Sequence, residues 1–140
     1  EMVACAKGPL RQLWFCGSGV ANLQTEIVLD GARVDIERSL SRTPYLRFMA
    51  KRMMGDASSK HFLFLGLGGG LLPMVALAHG AARVVVIEQS ASVVHLAHEH
   101  FCLPKGIPRL EVICADAAEA VFNSDLAKFN VVALDMFVGP

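Results

Sequence analysis

The stretch His61-Phe-Leu-Phe-Leu-Gly-Leu-Gly-Gly-Gly-Leu-Leu-Pro73 constrains this chain more than any other. An apolar run without alternation reads as a strand covered on both faces. It stops at glycines, and a proline follows where a helix can begin. Glycines at such a turn permit positive φ and let the backbone come close to a ligand. The helix that follows offers free N–H groups and a positive dipole end to a carboxylate or phosphate. A turn that serves packing alone would use the same glycines, so the motif takes its weight from what surrounds it.

From residue 60 the pattern is β-α-β-α-β-α-β. The predicted strands are Phe62–Leu65, Val84–Ile87, Leu110–Ile113 and Val131–Leu134, all apolar runs without alternation. The predicted helices are Leu72–His79, Ala91–Phe101 and Ala117–Asn123. Right-handed crossovers make this an α/β fold, a Rossmann-like doubly wound parallel sheet with strand order 3-2-1-4. Strands 1 and 4 are then neighbours, and the turn after strand 1 lies at the topological switch point. The sequence ends just past strand 4, which would leave an interior strand as an edge, so further C-terminal strands or a second chain are expected to cover it.

Ahead of this unit, residues 10–34 read as β structure. Leu13-Trp14-Phe15-Cys16 closes at Gly17-Ser18-Gly19, and Ile27-Val28-Leu29 closes at Asp30-Gly31, with Val34 and Ile36 beyond. Thr43-Pro44 starts a helix with a hydroxyl cap and a proline at the first position. Leu46, Met49, Met53 and Tyr45 are expected on its inner face, with Arg47, Lys51 and Arg52 outside. The division that follows is an N-terminal β-hairpin region over 1–42 and a nucleotide-binding unit over 43–140.

The candidate site residues stand at strand ends. Glu88 closes Val84-Val-Val-Ile-Glu88, twenty-two positions after Gly66, where a carboxylate can accept both hydroxyls of a ribose. Gly66-x-Gly-x-Gly70 departs from the Gly-x-Gly-x-x-Gly spacing of dinucleotide sites, since Leu71 stands at the third glycine. Asp116, after the third strand, can accept from an exocyclic amine, with the N–H of Ala117 near a ring nitrogen. A helix cap is the competing role for Asp116, and both can coexist. Asp135 ends the fourth strand beside the glycine turn, where it can position or deprotonate an amine.

Other residues are expected to be structural. His95, His98 and Glu99 share one helix without a second ligand cluster, so a solvated face is expected rather than a metal site. Cys5, Cys16, Cys102 and Cys114 form no C-x-x-C pair, as expected of free thiols in a reducing compartment.

These motifs resemble the spermidine synthase family of AdoMet-type transferases, including its methyltransferase-like branch. The resemblance covers residues 24–140 through Ile27-Val-Leu-Asp-Gly31, Tyr45, Leu65-Gly-Leu-Gly-Gly-Gly70, Val86-Ile-Glu88, Ala115-Asp-Ala117 and Val132-Ala-Leu-Asp135. It implies S-adenosylmethionine, or its decarboxylated form, as cofactor. By that likeness Gly66, Leu67, Gly68, Gly69 and Gly70 hold the methionine moiety, Glu88 the ribose, and Asp116 with Ala117 the adenine, with Gln89 a further cofactor contact. Tyr45 and Asp135 become the candidate catalytic pair.

Departures from the family narrow this. Aminopropyl-transferring members carry an acid in Gly-Gly-Gly-Asp-Gly, read here as falling at Leu71, and their Asp-Ser-Ser-Asp run survives only as Asp135-Met-Phe. A buried ammonium without a partner costs several kcal/mol, roughly. Intact S-adenosylmethionine and methyl transfer to an unidentified acceptor are therefore expected ahead of polyamine synthesis. A non-catalytic nucleoside-binding or dimerisation module is the reading from another class.

Thirteen basic residues balance thirteen acidic ones, which leaves no field favouring nucleic acid or an acidic membrane. The apolar stretches are too short and too broken to span a bilayer, and no leader pattern is visible, so a cytosolic protein is expected. Yet 54% of residues are hydrophobic and mean hydropathy is +0.46, high for a domain of this size. That excess points to apolar surface covered by a partner, most simply in a homodimer, or by further strands.

Overall fold

A computed structural model of the chain describes residues 1–136. It opens with four antiparallel strands in sequential order: β1 (Met2–Lys7), β2 (Leu10–Gly17), β3 (Val20–Asp30) and β4 (Arg33–Asp35). Two-residue loops join them at Gly8-Pro9, Ser18-Gly19 and Gly31-Ala32. Gly8, Ser18, Gly19 and Gly31 take the positive φ that suits the right-handed twist of the flanking strands.

This unit is larger than the predicted hairpin. β1, Met-Val-Ala-Cys-Ala-Lys, carries small residues and no strong alternation, so its sequence does not mark a strand. The β structure expected over residues 10–34 ends at Asp35, whose Oδ1 accepts the Arg38 N–H at 3.0 Å. That cap starts α1 (Ile36–Arg42).

Next comes α2 (Pro44–Met53), with proline at its start as expected, although the Thr43 side chain makes no capping bond. Leu46 and Ala50 are buried, and Met49 and Met53 pack against the core. Tyr45, expected on the inner face, is 45% exposed.

The second sheet is parallel and contains β5 (His61–Leu65), β6 (Arg83–Glu88), β7 (Leu110–Cys114) and β8 (Val131–Leu134). Its order is β7-β6-β5-β8, the predicted 3-2-1-4. The connecting helices are α3 (Leu71–Ala78), α4 (Ala91–His100) and α5 (Ala117–Phe122). β5 pairs with β6 on one side and β8 on the other, so the turn after Leu65 lies between the ends of both.

One core serves both sheets. Leu13, Ile27 and Leu29 of the N-terminal sheet join Phe62, Phe64, Val84, Val86, Val75 and Phe101 in a single cluster. The opposite face of the parallel sheet is thinner: Leu63, Leu65, Val85 and Ile87 are covered by small residues of α5, with Phe129 alongside. β8 pairs only with β5 among the described residues, and its Val132 and Leu134 are 46% and 64% exposed. No helix of the described residues is long and apolar enough to cross a membrane.

Candidate functional site

The glycine turn is shaped first by its own chain. Gly66, Gly68 and Gly70 have φ of +99°, +53° and +80°, a region that L side chains rarely adopt. A Cβ on Gly66 would overlap the carbonyl oxygen of Asp135, because the turn passes directly beneath the end of β8. One on Gly68 would stand 2.7 Å from Thr25 Oγ1, and one on Gly69 would stand 2.9 Å from Thr25 Cγ2. The close approach read from these glycines is thus an approach to β8 and β3, whatever else the turn holds.

Glu88 is fixed by two backbone donors. Its Oε2 accepts the Leu67 N–H at 3.0 Å, and its Oε1 accepts the Ser90 N–H at 2.8 Å. One carboxylate therefore ties the turn after β5 to the turn after β6. Each oxygen keeps a lone pair for a further donor. Ser90 in turn caps α4 by accepting the Val93 N–H at 3.3 Å.

Asp116 holds the cap role weighed above: its Oδ1 accepts the Glu119 N–H at 2.9 Å at the start of α5. Asp135 follows β8 and faces Tyr45 of α2. Burial pushes the Asp135 carboxyl up, with the Tyr45 hydroxyl working the other way. Burial, and then the facing Asp135 carboxylate, push the Tyr45 phenol up to about 12. Tyr45 is thus a neutral hydrogen-bond donor throughout the physiological range, and Asp135 is a stronger base than a solvated carboxylate.

These groups meet in one cavity of about 500 Å³. Gly66, Gly68, Glu88, Gln89, Asp116, Ala117, Asp135 and Tyr45 all line it. Three predicted positions do not. Leu67, 3% exposed, turns into the core, with its N–H held by Glu88 and its carbonyl by the Gly70 N–H. Gly69 gives its N–H to Thr25 Oγ1 at 3.2 Å. Gly70 starts α3 without facing the cavity. Leu71, read from the family pattern as the place of a missing acid, is 1% exposed and also packs in the core. Its identity therefore says nothing about the cavity, and the lining itself must carry that argument.

The lining holds three carboxylates, Glu88, Asp116 and Asp135, and among the described residues no lysine, arginine or histidine. A pyrophosphate would meet three like charges there and no side-chain cation. A cationic nucleoside with ribose hydroxyls to donate meets matching groups. Sequence reading missed the roof, which comes from the N-terminal sheet as Met2, Phe15, Gln24 and Thr25. Thr25 was legible in principle: it lies two residues before Ile27, so strand period places both on the inner face. His98, expected on a solvated face, instead has Nδ1 2.9 Å from the Leu103 carbonyl.

No protein-family model matches this sequence, and no curated protein matches it. Solved structures do. Spermidine synthase from Thermotoga maritima is 18% identical with a TM-score of 0.62, over 99% of this chain and 47% of that one. A spermidine synthase in complex with the transition-state analogue AdoDATO is 19% identical with a TM-score of 0.61, over 96% of this chain and 46% of that one. Human methyltransferase-like protein 13 in complex with SAH is 20% identical with a TM-score of 0.58, over 69% of this chain and 49% of that one. The fold is spermidine synthase- and methyltransferase-like. This chain spans about half the length of these spermidine synthases, and the shared part includes the N-terminal sheet that roofs the cavity.

Proposed function

We propose that the chain binds S-adenosylmethionine in this cavity and serves transfer of its methyl group to a small acceptor. The observation that carries the reading is the lining: three carboxylates, no cationic side chain among the described residues, and one carboxylate preset by two N–H bonds to receive hydroxyl donors. The ligands named for two solved structures of this fold, AdoDATO and SAH, support it. Glu88, with Gln89 beside it, is assigned the ribose, and Asp116 with Ala117 the adenine.

When bound, the cofactor supplies a sulfonium-activated carbon. The chain supplies alignment and a place for the proton. Asp135, raised by burial, accepts the proton that an attacking N–H gives up. Tyr45 stays protonated and donates a hydrogen bond that orients the acceptor or Asp135.

A second reading, aminopropyl transfer from decarboxylated S-adenosylmethionine, is favoured by coverage. The spermidine synthases match nearly the whole chain, roof included, whereas the methyltransferase matches 69% of it. What weighs against it is the absence of an acid from residues 66–72, where the cofactor's amine would need a partner.

Calorimetry with S-adenosylmethionine, its decarboxylated form and NAD separates these readings. S-Adenosylmethionine is expected to bind and NAD to give no heat; absence of binding by any of the three would sink both enzyme readings. Glu88→Ala removes the ribose acceptor and should weaken S-adenosylmethionine about a hundredfold, from two bonds to a charged group. Unchanged affinity would refute the ribose assignment.

A further inference from the structure

We infer that a second cavity, formed by α1, α2 and α3, binds a small phosphate monoester with an apolar body, its phosphate held by Arg47 and Lys51. This cavity shares no lining residue with the one that holds Glu88 and Asp135. The inference therefore stands apart from the S-adenosylmethionine reading.

Positive charge gathers at these helices. Residues 33–60 carry seven basic and three acidic residues, in a chain whose totals are thirteen of each. Arg38 and Arg42 are paired with Asp35 and Glu26, and Arg52 lies over the Phe48 ring at 5.2 Å. Arg47 and Lys51 have no ion pair among the described residues. They stand four positions apart on α2, where like charges face each other and destabilise the helix. A phosphate monoester, close to doubly charged at neutral pH, reverses that repulsion.

Both cations line a cavity of about 270 Å³. Its floor is apolar: Leu40 of α1, Ala50 of α2, Met54 just after it and Val75 of α3 are all buried. His79 closes one end, with its Nδ1 2.8 Å from the Val75 carbonyl. The C-terminal poles of α2 and α3 also lie at that end and disfavour an anion. The phosphate accordingly belongs at the Arg47 end, roughly 10 Å back along α2 from Met54. Glu37 is the one carboxylate of the lining among the described residues, and it pairs with neither cation. Two positive charges against one negative select an anion, and the floor selects one with an apolar body.

NMR titration of the isotope-labelled chain with phenyl phosphate tests this, at low ionic strength where screening is weak. The Ala50 and Val75 N–H signals should move, while those of Glu88 and Asp116 in the other cavity stay in place. Arg47→Gln and Lys51→Gln should each weaken binding about tenfold, the loss of one bond to a charged group. Glu37→Gln should tighten it. Inorganic phosphate should bind more weakly than phenyl phosphate, and benzylamine should not bind. All three substituted positions are exposed, so the variants should melt as the wild type does, which separates lost binding from lost fold. A wild type that does not bind phenyl phosphate, or binding that both glutamine variants leave unchanged, would overturn the site. Tighter binding of benzoate than of phenyl phosphate would overturn the phosphate assignment. Binding of benzylamine instead would show that Glu37 sets the sign of the cavity.

Discussion

At the scale of single residues, Asp135 makes the sharpest demand on experiment. Burial favours its neutral form, so the folded chain holds this proton to higher pH than the unfolded chain does. Between the two pKa values the folded state binds more protons, and stability falls as pH rises through that window. The slope vanishes below the unfolded value and above the folded one. Asp135→Asn removes this contribution, so the wild-type melting midpoint should decline relative to the variant as pH rises from about 3 to 7, across and above the carboxylate range. A difference that stays flat would show that Asp135 titrates as a solvated acid. Tyr45 is shifted in the same direction: with its phenol pushed up to about 12, it offers a proton at every pH the protein meets.

At the scale of elements, the turn after β5 is the joint between three pieces of the chain. It passes under β8 at Gly66, meets β3 through Thr25, and is tied to β6 by Glu88. Gly66→Ala therefore collides with backbone at a positive φ, and neither the turn nor β8 can yield cheaply. The cost should be about 3 kcal/mol or more, read by urea denaturation; a loss within 0.5 kcal/mol, roughly the range of a surface change, would contradict the packing. These elements also show what the sequence could reveal. The four strands of the parallel sheet, their order and the acids at their ends were legible because apolar runs, glycines and strand-end carboxylates obey local rules. What stayed hidden depended on contacts distant in sequence. Gly69 meets Thr25 from 44 positions away, and Leu71 packs inward rather than toward the cavity.

At the scale of the whole molecule, the two faces of the parallel sheet are unequally covered. The N-terminal sheet and the larger cluster bury one face, while β8 shows Val132 and Leu134 at the edge of the other. Among the described residues β8 pairs on one side only, and an edge strand with apolar side chains invites pairing with another chain. Val132→Lys places a charge on that edge without touching the cavity lining. Sedimentation at rising protein concentration should show self-association for the wild type and less for Val132→Lys. Identical behaviour of the two would mean that β8 is not the contact.

The cavity has a property that no single wall explains. Its lining runs from Met2 to Met136 and takes residues from both sheets. A ligand seated there would act as a clasp between segments that meet only in the completed fold. Its effect on unfolding would then be global, raising the midpoint by the full linkage term rather than firming one loop. Nicking the chain anywhere between those two residues should be harder in its presence, even at hairpins far from any atom it touches.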